Sequence, residues 1–351
     1  MSNPPPQARF SHSQFFSLDP ISQVEKEIFL DKVWPILSSQ QGSMNKVDDF
    51  DFYFKCISQE RKPAAAKDHA ITTFDDLFFI IGIVQSHGSS VFGQLITKIQ
   101  NSRPNLATVP SRLSNSIELA VRVWLMMNIR NRVPPDLYQH QTSIPWHDNY
   151  VLPWVLAQNF KRHQCDQHSK FSEYFNAQDM KRIGGIKVEW TNNLALHLTI
   201  KDSLVYIFHG VSILKRMQES ASTSPFLERE FFEETLATID LLIPFTKASC
   251  DGWLADEIKL LGLDKNIRYR DAPVMEKSRY PYWQKKLLAV EDAFEKSKPR
   301  TFLQWWHDTR DMQQWWGFWL VVTGIFLTVL FGLIQSVTGI IQVSRPNRSS
   351  S

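Results

Sequence analysis

Apolar residues follow helical spacing through most of this chain, and near its end they run together without a break. Between Met312 and Ser344 there is no ionisable side chain. The centre of that run, Gly317 to Ile334, reads GFWLVVTGIFLTVLFGLI. A helix rises about 1.5 Å per residue, so roughly 20 such residues cross a hydrocarbon layer about 30 Å thick. The pattern predicts a transmembrane helix over 317–341 and a short tail over 342–351. The other reading of such a run is a helix buried inside a soluble fold. Its length favours the membrane, because a buried core helix carries only about 10–14 consecutive apolar residues.

Upstream, residues 1–18 are polar and Pro-containing and are read as a flexible arm. Asp19-Pro20 predicts a helix start, continued by Val24, Ile28, Phe29 and Val33 at helical spacing. Residues 61–67 are read as a loop. Thr73 with Asp76 resembles a cap ahead of the apolar run Leu77–Val84. A further helix is expected over 90–100, ended by Pro104. Ser116 to Arg130 predicts a helix that is apolar nearly all round, hence buried, with Glu118 and Arg122 as its one exposed i,i+4 pair. Pro134-Pro135 would stop it.

A short helix is expected to end near Phe160, followed by a polar loop over 161–176. The period then changes. Ile186–Trp190 and Leu204–Phe208 alternate every two residues and predict strands, with Asn193 capping a short helix between them. Helical spacing returns over 211–217, 226–243, 253–261 and 282–294. The expected fold is mainly α with a small two-stranded β element. A soluble helical domain occupies 19–300 and precedes the membrane helix.

Between the two lies 301–316, TFLQWWHDTRDMQQWW. Wound as a helix it places Phe302, Trp305, Trp306, Thr309, Met312 and Trp316 on one face. Trp305, Trp306, Trp315, Trp316 and Trp319 suit the headgroup layer, where an amphipathic indole keeps one end wet. Within the membrane run, Gly324, Thr328, Gly332 and Ser336 recur every four residues, so they share one side of the helix. Small side chains there let a second helix approach closely, which makes self-association an expectation alongside the lipid bilayer itself.

Composition narrows the reading. The chain is 43% hydrophobic and 21% charged, which argues against wholesale disorder. A net charge of +3 without a basic cluster argues against a nucleic-acid partner. Cys56, Cys165 and Cys250 are widely spaced and odd in number, which favours a reducing compartment over a disulfide framework. The opening MSNPPPQARFSHSQFF has no apolar stretch and is not read as a secretory signal. Lys296, Lys298, Arg300 and Arg310 precede the run, whereas only Arg345 and Arg348 follow it. This bias favours a cytosolic N-terminal domain on a C-terminal, single-pass anchor. The expected membrane is the endoplasmic reticulum or secretory pathway rather than the mitochondrial outer membrane.

Chemistry is harder to find. His163, Cys165 and His168 are metal-type ligands, but no second pair stands nearby to complete a tetrahedral site, so no metal is expected. Trp146-His147-Asp148-Asn149 suggests a His–Asp dyad. However, Trp146 as a core anchor and Asp148 as a helix cap explain the same letters. His209-Gly210 follows a strand. No phosphate loop, dinucleotide fingerprint or kinase set is present, and no cofactor is expected.

Trp146–Trp154, Val188–Leu194, Val205–His209 and the stretch from Gln314 to Gly339 resemble a large family of uncharacterised proteins of filamentous ascomycete fungi. The resemblance covers most of residues 20–343 and is most specific at the C-terminal block. It implies a fungal source, a cytosolic domain and one terminal membrane helix, and it brings no activity and no catalytic residues. The leading expectation is a membrane-tethered interaction or adaptor protein. The alternatives are a membrane-bound enzyme with a pocket near Trp146–Asn149 and His209, and an oligomerising signalling or lytic membrane protein.

Overall fold

A computed structural model describes residues 6–36, 47–106, 109–131, 143–163, 169–221, 226–268, 271–297 and 312–344. The fold is mainly helical, with two small sheets and a long apolar helix at the C-terminal end. One contiguous core reaches from Phe10 to Phe294.

The segment read as an arm is not loose between residues 6 and 18. It holds helix α1 (Pro6–Ser11) and buries Phe10, Phe15 and Phe16. Phe15 N–H donates to the Thr72 carbonyl, and Arg61 Nε donates to the Phe15 carbonyl at 2.9 Å. The three aromatic residues supply the driving force that the polar letters around them conceal.

Helix α2 (Gln23–Val33) starts later than Asp19-Pro20 suggests. Ser22 caps it in a reciprocal box with Glu25, two hydrogen bonds that the Asp-Pro pair cannot match. Helix α3 (Asp51–Glu60) was not foreseen, and the expected loop at 61–67 contains a 3₁₀ turn over Pro63–Asp68. Helix α4 (Phe74–Ser86) is capped by Thr73 and Asp76 as its sequence predicts. Helix α5 (Phe92–Ser102) and helix α6 (Pro110–Leu125) follow.

Helix α6 is buried as expected, with Trp124 and Met127 both in the core. It starts and ends earlier than its periodicity implies. Met126 turns left-handed at φ 52°, and its carbonyl accepts Leu194 N–H at 2.7 Å. A distant turn therefore ends this helix, not Pro134-Pro135, which lie outside the described residues. The Glu118–Arg122 pair does not form. Arg122 pairs with Glu60 of α3 at 2.8 Å, and Glu118 accepts Asn131 N–H.

Strands β1 (Ile129–Arg130) and β2 (Ile144–Pro145) make a short parallel pair, followed by α7 (Leu152–Asn159) and α8 (Ala177–Arg182). The second sheet has three strands rather than two: β3 (Lys187–Thr191), β4 (Ile200–Lys201) and β5 (Leu204–Phe208), in the order β3-β5-β4. β3 and β5 are parallel. β4 escapes a periodicity search because it is two residues long. It joins β5 through Asp202 and Ser203, both at positive φ, the backbone that a tight two-residue hairpin requires. Asn193 caps the short 3₁₀ turn between β3 and β4.

Helices α9 (Val211–Ser220), α10 (Arg229–Leu242), α11 (Ala248–Leu261) and α12 (Gln284–Lys296) complete the domain. α9 and α10 pack on each other. The last helix, α13, spans Met312–Ser344.

Candidate functional site

Two features of the molecule bear on function: the apolar helix α13 and the buried polar groups behind the three-stranded sheet.

Within α13, Trp315–Ile341 has a mean hydropathy of 2.3 over its most apolar window, and none of that window is buried by the rest of the molecule. A core helix of a soluble fold would be covered. The length, 27 residues, is about 40 Å of helix, enough to cross a bilayer with its ends in the headgroup layers. Three of its hydroxyls are satisfied within the helix. Thr328 Oγ1 donates to the Gly324 carbonyl, Ser336 Oγ to that of Gly332, and Thr338 Oγ1 to that of Ile334. A hydroxyl bonded in this way can leave water at little cost, because its donor stays paired. Gly324 and Gly332 have open space where a Cβ would sit. Trp315, Trp316, Phe318 and Trp319 form a cluster of edge-to-face rings at its N-terminal end. Trp305 and Trp306 lie outside the described residues.

His209 is buried at the end of β5, with its ring against Phe52 at 4.1 Å. Gly210 follows because a Cβ there would meet Phe208 and Phe52 within 3.0 Å. The Nδ1 of His209 accepts Asp264 N–H at 3.2 Å, a tautomer inferred from that bond. Asp264 Oδ2 in turn accepts both the backbone N–H and the hydroxyl of Ser212. The serine thus points at the carboxylate and not at the imidazole, so these three residues make a clamp rather than a nucleophile and base. Burial, with a smaller push from Lys55, lowers the His209 pKa to about 3.

A second chain of hydrogen bonds runs beneath it. His197 Nε2 lies 2.8 Å from Thr238 Oγ1, and its Nδ1 accepts Phe208 N–H. Trp283 Nε1 donates to Thr235 Oγ1, and Trp283 N–H to Glu234 Oε1. Glu234 therefore places a carboxyl at the N-terminal end of α12, where the helix dipole favours it. Burial nevertheless raises its pKa to about 7. Lys286, half-buried on α12, has its pKa lowered to about 8 by desolvation.

Trp146 is fully buried against Phe92 and donates Nε1–H to the Tyr150 carbonyl, so it is the core anchor its letters allow. Asp148 does not cap α7, whose N-cap is Val151. Asp148 accepts Asn131 Nδ2–H at 2.7 Å instead. His147 is exposed, with its ring towards Tyr150. Thus Trp146 sits on α5, and His209 sits on α3 with its hydrogen bond to the start of the 264–266 turn. Neither lines the two surface clefts of about 400 Å³, one between α9 and α10 and one beside α2 and Arg216. His163 donates its backbone N–H to the Pro281 carbonyl, while Cys165 and His168 lie outside the described residues. Among the described residues no group of three His, Cys, Asp or Glu is placed to hold a metal ion.

Glu234 and Lys286 are the residues that sequence reading passed over. Their signal was present for Glu234. It recurs with Phe231, Thr235, Thr238 and Leu242 on the buried face of α10. No protein family, curated protein or solved structure matches the chain.

Proposed function

We propose that this chain is a membrane-tethered interaction or adaptor protein, its helical domain in the cytosol and α13 its single-pass anchor in the endoplasmic reticulum or secretory pathway. The observation that carries the reading is the uncovered apolar helix Trp315–Ile341. A 27-residue span of mostly apolar, uncovered side chains is unstable in water and at home in lipid. The basic residues before the helix support the cytosolic orientation. Confinement to a surface raises the local concentration of the domain for any partner on the same membrane. The Gly324–Ser336 stripe supports association between anchors, and kinship with the ascomycete proteins belongs to the same proposal.

Fractionation of the full chain and of a chain ending at residue 311 tests it. The full chain is expected in the membrane pellet after carbonate washing, and the shortened chain in the supernatant. A shortened chain that still resists carbonate would place the anchor elsewhere.

A further inference from the structure

Helix α11 ends in Lys259-Leu260-Leu261-Gly262, and Gly262 takes φ 66° to leave the helix. The two leucines face outward: Leu260 is 81% exposed and Leu261 48%. The next apolar residue, Leu263, is buried, so the pair stands alone at the helix end. Lysines surround it. Lys259 and Lys265 are exposed, and Lys55 of α3 brings its Nζ to within 3.1 Å of where a Cβ on Gly262 would sit. The acidic groups nearby are mostly engaged. Glu257 accepts the indole N–H groups of Trp190 and Trp253, Asp264 is clamped by Ser212, and Asp251 is paired with Arg268. Along α11 Glu257 is the acid nearest the tip, and the exposed Asp256 stands one residue before it.

The chain leaves the domain on the same flank. At the end of α12, Phe294 and Ser297 press on Gly184, where a Cβ would lie 2.8 Å from each. Gly184 follows α8, and α8 packs on α11 through Gln178 to the Ser249 carbonyl and Lys181 to Glu257. Only residues 298–311 separate this point from α13, a reach of at most about 50 Å.

We infer that the Leu260–Leu261 tip and its rim of lysines rest on an anionic lipid surface, the leaflet into which α13 inserts. The inference rests on the tethered reading above. Apolar side chains enter the boundary between headgroups and acyl chains, while lysine stems extend along it and keep their ammonium groups at the phosphates. A second copy of the chain is the poorer occupant, because a symmetric contact would set one basic rim against another.

The test uses the full chain in vesicles of phosphatidylcholine alone or mixed with phosphatidylserine. An environment-sensitive fluorophore is attached at Leu260→Cys, with Cys56 and Cys165 replaced by Ser. A second sample carries it at Leu18→Cys, another highly exposed leucine. In phosphatidylserine vesicles the label at 260 should shift to the blue and be quenched by lipid-borne quenchers, while the label at 18 should not. Replacing Lys259 and Lys265 by Ala should reduce the docked-to-free ratio about fivefold per lysine, given roughly 1 kcal/mol for each basic residue at an anionic surface. A label at 260 that stays in water while the chain resists carbonate overturns the inference and leaves the tether standing. Equal quenching at 18 and 260, or a blue shift that grows with protein concentration and ignores lipid quencher, also overturns it. A chain that washes off with carbonate yet docks through 260 on added anionic vesicles removes the tether, overturns the part of the inference that sets the tip on the leaflet α13 enters, and upholds only the affinity of the tip for an anionic surface.

Discussion

The ammonium of Lys286 donates to the carbonyl oxygen of His197 at 2.9 Å, from α12 into the turn that precedes β4. The same Nζ reaches the Ala195 carbonyl and Thr199 Oγ1, so among the described residues three uncharged acceptors hold a half-buried cation. The lysine thus pins an irregular turn to a helix, and desolvation lowers its pKa to about 8.

That geometry gives a stability profile with a definite sign. Between pH 8 and the ordinary lysine value near 10.5, the unfolded chain holds a proton that the folded chain has lost, so stability rises with pH across this window. The rise amounts to about 3 kcal/mol. Lys286→Met should remove it while leaving the three acceptors without their donor. Denaturant melts of both proteins in mild detergent from pH 7.5 to 11 measure the difference, and parallel profiles would contradict it.

His209 gives a slope on the acid side. Its folded pKa is near 3 and its unfolded value near 6.5, so the stability present above pH 6.5 is lost as pH falls toward 3. The loss is on the order of 5 kcal/mol. Glu234, raised to about 7, slopes the opposite way between pH 4.5 and 7, because its folded form keeps the proton longer. The comparison is therefore between wild type and His209→Gln, which keeps an acceptor for Asp264 N–H. The variant should lose the acid-side dependence. If both proteins weaken equally from pH 6.5 to 4, His209 is not the group responsible.

Trp124, in the last turn of α6, packs edge-on against Phe226 with ring centroids 4.9 Å apart. Trp124→Ala should cost about 3–5 kcal/mol, the transfer of an indole to water together with the cavity left behind. Equilibrium unfolding reads this directly. A change within error would mean that the surrounding core refills the space.

Helix α13, read as the anchor proposed above, makes a separate prediction. Thr328 and Ser336 already donate to carbonyls of their own helix, so association through the stripe relies on close backbone approach at Gly324 and Gly332. Gly332→Ile should weaken self-association by roughly 1 kcal/mol and leave insertion intact, since isoleucine is at least as apolar as glycine. A two-hybrid assay of isolated tails in a membrane tests it. Equal signals from wild type, Gly332→Ile and a poly-Leu control would reduce the stripe to ordinary membrane-helix composition.

Much of the fold was legible wherever the signal lay within a few residues of its consequence. The cap formed by Thr73 and Asp76 could be read ahead, as could the two strands of period two and the burial of Trp124. The candidate site was less legible. Trp146 packs on Phe92 of α5 and His209 on Phe52 of α3, contacts with residues so distant in the chain that no local spacing announces them.

The sequence by itself determined α13: an uncharged run of this length must be a helix and must escape water, whatever the rest of the chain does. Local capping and periodicity likewise determined most helices of the domain. The tertiary structure alone decided that Arg122 pairs with Glu60 rather than Glu118, and that α6 ends at Met126 against Leu194. It also decided that Lys286 donates to the His197 carbonyl and that the buried Glu234 accepts Trp283 N–H. The reason is common to all of these. A charged side chain or a helix end takes its partner from what lies near it in space, and for these residues that neighbour is tens of positions away in the chain.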